Sequence, residues 1–182
     1  MVNLSPLQQI PIDGFLQFTD AEIGQGYFKE KHLQPLIRQS QWQGQSLSYF
    51  ASDKNQVVGL RLTISPDHLL DNLPTGQSPL TTQLDQVAYF KSCYVAESHR
   101  GQGLATQLSQ QSLAVLKSLG AKGVLTHSWK ESPKPSMGYL TRLGFKPQGE
   151  IAQFWSQINY VCPRCGPPPC RCTAIELLLT FK

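Results

Sequence analysis

Apolar and polar residues change period several times along this chain, and the changes divide it into elements. Residues 104–119 carry the clearest helical signal. Leu104, Ala105, Leu108, Ser112, Val115, Leu116 and Leu119 fall on one arc at 3.6-residue spacing, with Gln107, Gln110, Gln111 and Lys117 opposite. Gly120 supplies the stop. The apolar run 87–95 directly before predicts a strand, and 123–129 predicts another. Alternating residues at 46–51 and 57–64 predict an antiparallel pair joined through 52–56. Upstream, the first dozen residues read as an extended lead-in and 13–18 as a first strand. Residues 20–38 read as a helix capped by Thr19 or Asp20, with Glu22 in its first turn and Gly24, Gly26 and Pro35 against it. Residues 65–86 form a polar connection with a short helix near His68-Leu69-Leu70, and strands at 152–160 and 173–181 close the chain.

Composition narrows the class. A chain of 182 residues with 40% hydrophobic content fits one domain spanning 1–182. No apolar window is long enough to cross a membrane, and the N-terminus lacks the basic and apolar regions of a secretory signal, so the expected location is the cytoplasm. A net charge of +4, with Lys and Arg scattered, is too mild to argue for nucleic acid.

The junction of strand 87–95 with helix 104–119 carries the first candidate chemistry. Arg100-Gly101-Gln102-Gly103-Leu104-Ala105 is a glycine-rich turn opening a helix. Unpaired N–H groups and the positive end of the helix dipole make such a turn a phosphate site. A P-loop would need Lys followed by Ser or Thr at the helix start, which is missing. A dinucleotide fingerprint would need Gly or Ala where Thr106 stands, and an acidic residue about 20 positions on, where 121–130 has none. The remaining pattern, Arg/Gln-x-x-Gly-x-Gly/Ala, is matched by Arg100, Gly103 and Ala105. With Tyr94-Val95 before it, strand 123–129 after it, and Leu143-Gly144-Phe145 following a short helix, the chain resembles the GNAT N-acetyltransferases over most of its length.

That resemblance implies an α/β (α+β) fold, with a mixed, mostly antiparallel central sheet flanked by helices. It also implies transfer of acetyl from acetyl-CoA to a primary amine by direct attack. The CoA site would comprise Cys93, Tyr94 and Val95 on a splayed strand edge and Arg100, Gly101, Gln102, Gly103, Leu104, Ala105 and Thr106 in the loop. The 65–86 connection would border the acceptor. Expected partners are acyl-CoA and an amine acceptor, with a homodimer left open. Cys93 itself reads as inert packing rather than as an acyl carrier. The family's usual Tyr acid, five residues before the Phe of the Gly-Phe pair, is replaced by Leu140, with Tyr139 one residue earlier and rotated by about 100° on a helix. Tyr139 is therefore the candidate acid. Among Glu97, His99, His127 and Glu131, His127 is the candidate base. The departure at Leu140 keeps a second class open, a non-catalytic acyl-CoA-binding or sensor module.

Four of the five cysteines lie together as Cys162-x2-Cys165-x4-Cys170-x-Cys172. Cys-x2-Cys followed by Gly166 permits two thiolates to chelate one ion, and four thiolates suit a tetrahedral Zn²⁺. In a cytosolic chain this spacing favours metal over disulfides. The loop 160–173 then reads as a structural zinc staple at the tip of the terminal hairpin. An interaction protein acting through this loop is the third reading.

Overall fold

The computed structural model describes residues 1–73, 85–133 and 136–182. Among the described residues nine strands and four α-helices arise in this order: β1 (Asn3–Pro6), α1 (Ile12–Glu22), α2 (Glu30–Gln39), β2 (Gln41–Trp42), β3 (Gln45–Ser46), β4 (Tyr49–Asp53), β5 (Gln56–Ile64), β6 (Val87–Val95), α3 (Leu104–Ser118), β7 (Gly123–Trp129), α4 (Met137–Arg142), β8 (Lys146–Ile151) and β9 (Ala174–Thr180). Seven of the strands form one sheet in the order β1-β4-β5-β6-β7-β9-β8, while β2 and β3 make a separate two-stranded ladder. In the large sheet every pairing is antiparallel except β6 with β7. The parallel pair follows from the connection, because α3 carries the chain back across the sheet between the two strands.

Each face of the sheet is covered by helices whose apolar stripe the sequence encodes. Phe15 and Phe18 of α1 and Leu33 and Leu36 of α2 pack with Leu62, Tyr89 and Leu125 on one face. On the other, Leu113 and Leu116 of α3 and Leu140 of α4 pack with Phe90, Phe145 and Leu177, and Leu104 and Leu108 close the same face over Tyr49 and Val58. These side chains are nearly all withdrawn from water, which stabilises the fold by roughly 1.5–3 kcal/mol for each fully buried one.

Most of the expected periodic elements form, and four expectations are corrected. Residues 13–18 are not a strand but the first half of α1, since Phe15, Phe18 and Thr19 all face the core at helical spacing. Gly14 permits the close approach, because a Cβ there would stand 3.1 Å from Val57 Cγ2. Residues 20–38 are not one helix either. Gly24 (φ 145°) and Gly26 (φ 74°) take conformations that glycine adopts without penalty, and they break the segment into α1 and α2. Asp20 accordingly caps no helix; its carboxylate accepts the Gly26 N–H at 3.0 Å. Pro35 lies inside α2, which continues to Gln39. The strand expected at 46–51 begins at Tyr49, with Gln45 and Ser46 in the small ladder. Finally, residues 152–160 are turns, and the strand pairing with β9 is the polar β8. Between 65 and 73 the chain makes two short 3-10 turns, and residues 74–84 of that connection lie outside the described residues.

Candidate active site

The sheet is closed at one end and open at the other. Strand β6 pairs with β7 only from Val87↔Gly123 to Phe90↔Thr126. Against β5 the register passes from Thr63↔Phe90 to Leu62↔Ser92, so Lys91 is the extra residue of a bulge. Beyond it, Cys93, Tyr94 and Val95 pair with β5 alone, while His127, Ser128 and Trp129 pair with β9 alone. A wedge opens between β6 and β7. The main chain alternates along an antiparallel pair, and the Ala96 N–H bonds to the Val58 carbonyl. The N–H groups of Cys93 and Val95 therefore point away from β5 and into the wedge.

The glycine-rich turn stands at the mouth of this wedge. Gly103 is the N-cap of α3 with φ 77° and ψ 5°, and no side chain caps the helix. Gly101 is also left-handed, at φ 75°. Open space lies above both glycines. The first-turn N–H groups of α3, with the positive end of its dipole, thus face an unfilled surface. Arg100 behaves differently from a free phosphate ligand. Its Nε donates to the Val95 carbonyl at 2.8 Å, and its guanidinium is paired with Glu22 of α1 and lies 4.0 Å from Glu97. It fastens the turn to the end of β6, and its charge is shared with two carboxylates.

On the α3 side of the wedge, Tyr139 meets a buried cation. The Arg61 Nη2 donates to the Tyr139 hydroxyl at 2.6 Å and to Ser109 Oγ at 2.9 Å, and its guanidinium carbon lies 4.0 Å over the Phe90 ring. Arg61 is almost wholly buried, and its Nε has no hydrogen-bond partner among the described residues. Burial pushes the Tyr139 pKa well up, the Arg61 charge opposing it, and the Cys93 thiol, opposite Arg61 in the register, also touches Tyr139. Leu140, at the position where the family pattern places Tyr, is packed in the core. The short helix α4, beginning at Met137, turns Tyr139 rather than Leu140 toward Cys93.

His127 lies on β7 where the wedge opens. Its Nε2 is 3.0 Å from Glu176 Oε2 and its Nδ1 is 3.1 Å from the Tyr89 hydroxyl. Phe154 stacks on the imidazole at 4.1 Å. Burial pulls the His127 pKa down, and the Glu176 carboxylate only partly offsets this. With the carboxylate accepting Nε2–H, Nδ1 is left to accept the Tyr89 O–H. The other acid–base candidates stand apart. Glu97 is exposed beside Arg100, and His99 contacts Ser98 and Asp53. Glu131 accepts the Thr173 N–H at 3.0 Å and pairs with Arg164, tying down the cysteine loop.

Cys162, Cys165, Cys170 and Cys172 converge, with all four sulfurs within 4.8 Å of one another and none in a disulfide. Two of the separations are 3.9 Å (Cys162–Cys172) and 3.5 Å (Cys165–Cys172). Tetrahedral sulfurs at the Zn–S length of about 2.3 Å would lie about 3.8 Å apart. Reciprocal main-chain bonds between Cys162 and Gly166 shape the knuckle, with Gly166 left-handed at φ 78°. Burial opposes ionisation of Cys162, but the N–H groups of Cys165 and Arg164 outweigh it and bring that thiol down to about 7. The donor set fits a zinc ion. Trp129, Trp155 and Tyr160 pack around the cluster.

On the α1–α2 face a pocket of about 250 Å³ is lined by Tyr27, Phe28, His32, Leu36, Lys91 and Ile158, among others. Lys91 is the first β6 residue past the last β7 pair, so this pocket borders the wedge from the face opposite α3. A larger hollow of about 670 Å³ at the far end, lined by Lys117, Lys122 and Phe181 among others, has none of the groups that converge here.

Four residues at this site escaped sequence reasoning: Arg61, Lys91, Tyr89 and Glu176. The available signal was charge out of place, since Arg61 and Glu176 each interrupt an otherwise apolar strand.

A sequence profile described as the Acetyltransferase (GNAT) family matches residues 17–145. The fold is similar to that of the ribosomal-protein-S18-alanine N-acetyltransferase from Escherichia coli, at 13% identity and TM-score 0.67 over 100% of this chain and 95% of that one. It is also similar to Arabidopsis thaliana NAA60 in complex with a bisubstrate analogue, at 12% identity and TM-score 0.70 over 99% and 98%. A Bacillus subtilis acetyltransferase in complex with CoA matches at 14% identity and TM-score 0.65 over the full length of both chains. Compared with curated protein sequences, the chain finds no significant match. With more than two thirds of its length covered by the family profile, and the wedge and glycine turn in place, the chain belongs to the GNAT acetyltransferase family.

Proposed function

We propose that this protein is an acyl-CoA-dependent N-acyltransferase that moves acetyl from acetyl-CoA to a primary amine by direct attack. The observation that carries this reading is the β6–β7 wedge beside the uncapped N-terminus of α3. The first-turn N–H groups of residues 103–106 would hold the pyrophosphate. The Cys93 and Val95 N–H groups would bond the pantetheine amide and the thioester oxygen.

The chemistry then divides between the two sides of the wedge. The amine nitrogen attacks the thioester carbon, and the Cys93 and Val95 edge carries the oxyanion charge. The proton lost by nitrogen passes to Tyr89, which in turn gives its own to His127 Nδ1, with Glu176 stabilising the imidazolium. As the C–S bond breaks, the Tyr139 O–H protonates the leaving thiolate, giving free CoA and the amide. Arg61 supports that step, because a guanidinium donating to the phenol oxygen stabilises the phenolate left behind. The phenol of Tyr139, hydrogen-bonded to Arg61 at the wedge despite Leu140, supports the enzyme reading over the sensor alternative.

The cysteine cluster is proposed as a structural zinc site held by Cys162, Cys165, Cys170 and Cys172. Four thiolates leave the ion no open position, so it supplies rigidity rather than reaction chemistry. A reducing compartment such as the cytosol would keep these thiols free to bind it.

Ala105→Glu tests the donor site. The substitution suits a helix and sets a carboxylate among the phosphate-binding N–H groups. Wild type is expected to gain several degrees of melting temperature from saturating acetyl-CoA and to release CoA against an amine panel. Ala105→Glu is expected to melt near wild type without ligand and to lose that gain. An equal gain in both proteins would overturn the assignment.

A further inference from the structure

The pocket on the α1–α2 face holds a cation that no carboxylate among the described residues neutralises. Lys91 Nζ donates to Asn72 Oδ1 at 2.9 Å, and Asn72 is itself held by its bonds to Gln39 and to the His68 carbonyl. No carboxylate lies within ion-pair reach of Lys91 among the described residues, and residues 74–84 of the adjoining connection contain no Asp or Glu. The neighbours add positive charge. The field of Lys31, Lys29 and Lys91 reaches His32, on top of its burial, and lowers its pKa. The acidic groups nearby are turned to other work or to solvent: Asp71 pairs with His68, and Glu30 is exposed at the start of α2. Apart from Gln39, the rest of the lining is apolar and aromatic, from Tyr27, Phe28, Pro35, Leu36 and Ile158. Burial brings Lys91 down to about 8, so the ammonium persists at neutral pH while being poorly solvated.

A partly desolvated ammonium in an aromatic pocket beside the reaction wedge is complementary to an anion attached to an apolar body. Resting on the acyltransferase reading above, we propose that this pocket is an acceptor subsite for a carboxylate, with Lys91 as its ligand. The preferred acceptor is then an amine that bears a carboxylate within a few bonds and an apolar or aromatic side group for the Tyr27–Phe28 wall. Two sources present that chemistry, a free amino acid and a peptide with an acidic residue next to its amino terminus.

Matched pairs separate the sources. Free phenylalanine is compared with phenylalaninamide, and Ala-Asp-Phe amide with Ala-Asn-Phe amide. Each is titrated calorimetrically into the CoA-loaded full chain, with CoA release from acetyl-CoA as the second readout. The carboxylate member of one pair is expected to bind about tenfold or more tightly than its neutral partner, which is the scale of one charge-assisted hydrogen bond. Lys91→Gln is expected to abolish that preference and leave the neutral partner unchanged. Lys91→Arg, which keeps a charge but cannot serve as a base, is expected to retain it. Absence of any preference in both pairs, including no binding of either member, overturns the proposal. So does an equal loss for charged and neutral members in Lys91→Gln. Failure of the donor reading shows up separately, as a missing thermal shift with acetyl-CoA alone.

Discussion

Arg61 stands between Leu60 and Leu62 in β5, and its guanidinium is covered by Phe90, with no carboxylate among the described residues to balance it. A buried charge without a counter-ion costs several kcal/mol unless something else answers it. In the proposed reaction the answering charge appears only in the transition state, on the departing sulfur, and reaches Arg61 through Tyr139. Tyr139→Phe removes the proton donor and leaves the ring packing, so single-turnover rates should fall about 100-fold while acetyl-CoA binding is retained. The pH profile follows from the two shifted groups. Burial raises the Tyr139 pKa, so the phenol stays protonated and imposes no loss of rate through pH 9. Burial lowers the His127 pKa, so the imidazole remains neutral and able to accept a proton down to below its ordinary value near 6.5. With a weakly basic acceptor amine that is itself neutral across this range, the rate should therefore fall on the acid side only, with a midpoint under 6.5. An alkaline fall abolished by Tyr139→Phe would show that the phenol ionises in range and is not so shielded.

Elements were legible where burial on a single face imposes a single period. Strands β6 and β7 and helix α3 fall where the apolar pattern places them, because each packs a continuous stripe. Residues 13–18 misled because six residues cannot separate alternation from a helical turn, and their sorting is decided by α1 packing on the sheet. Residues 152–160 misled for another reason. Their Phe154, Trp155 and Tyr160 cover His127, the cysteine cluster and Tyr27 instead of a sheet face. The true partner of β9 is β8, an edge strand exposed over most of its length and so without an apolar signature. The glycine-rich turn was legible as a motif; the wedge beside it depends on a bulge at Lys91 that no local pattern announces. Close packing of strands gives a further expectation. A Cβ on Gly123, where β7 begins, would overlap the Leu179 carbonyl oxygen of β9, while one on Gly149 of β8 meets nothing within 4 Å. Gly123→Ala should therefore lower stability in urea by about 1–3 kcal/mol, the usual cost of overpacking. Gly149→Ala should be close to neutral. Similar losses at both sites would mean that β9 shifts freely to admit the extra carbon.

Across the whole molecule, residues 152–173 act as a strap from the terminal hairpin to the opposite side of the wedge. Phe154 covers His127, Ile158 lines the α1–α2 pocket, and Tyr160 packs edge-on to Tyr27 at 5.0 Å in the α1–α2 turn. The strap has almost no sheet pairing of its own, so its shape rests on the cysteine knuckle and on Glu131 at the Thr173 N–H. A zinc ion held by four thiolates would fix the knuckle directly. Its removal should loosen the strap without unfolding the sheet, whose cores on both faces lie elsewhere. Protein purified in reducing buffer should carry about one zinc per chain, and Cys165→Ser should lose it. Losing about 2 kcal/mol of local stability in a chain of this size lowers the melting temperature by about 4–8 °C. Amide exchange should rise first across residues 152–173. The thermal shift with acetyl-CoA should persist, because the α3 loop and β6 edge are untouched, while acceptor binding should weaken. Equal losses of donor and acceptor binding would place the knuckle in the global fold. Full exchange protection in the metal-free protein would mean that aromatic packing alone holds the strap.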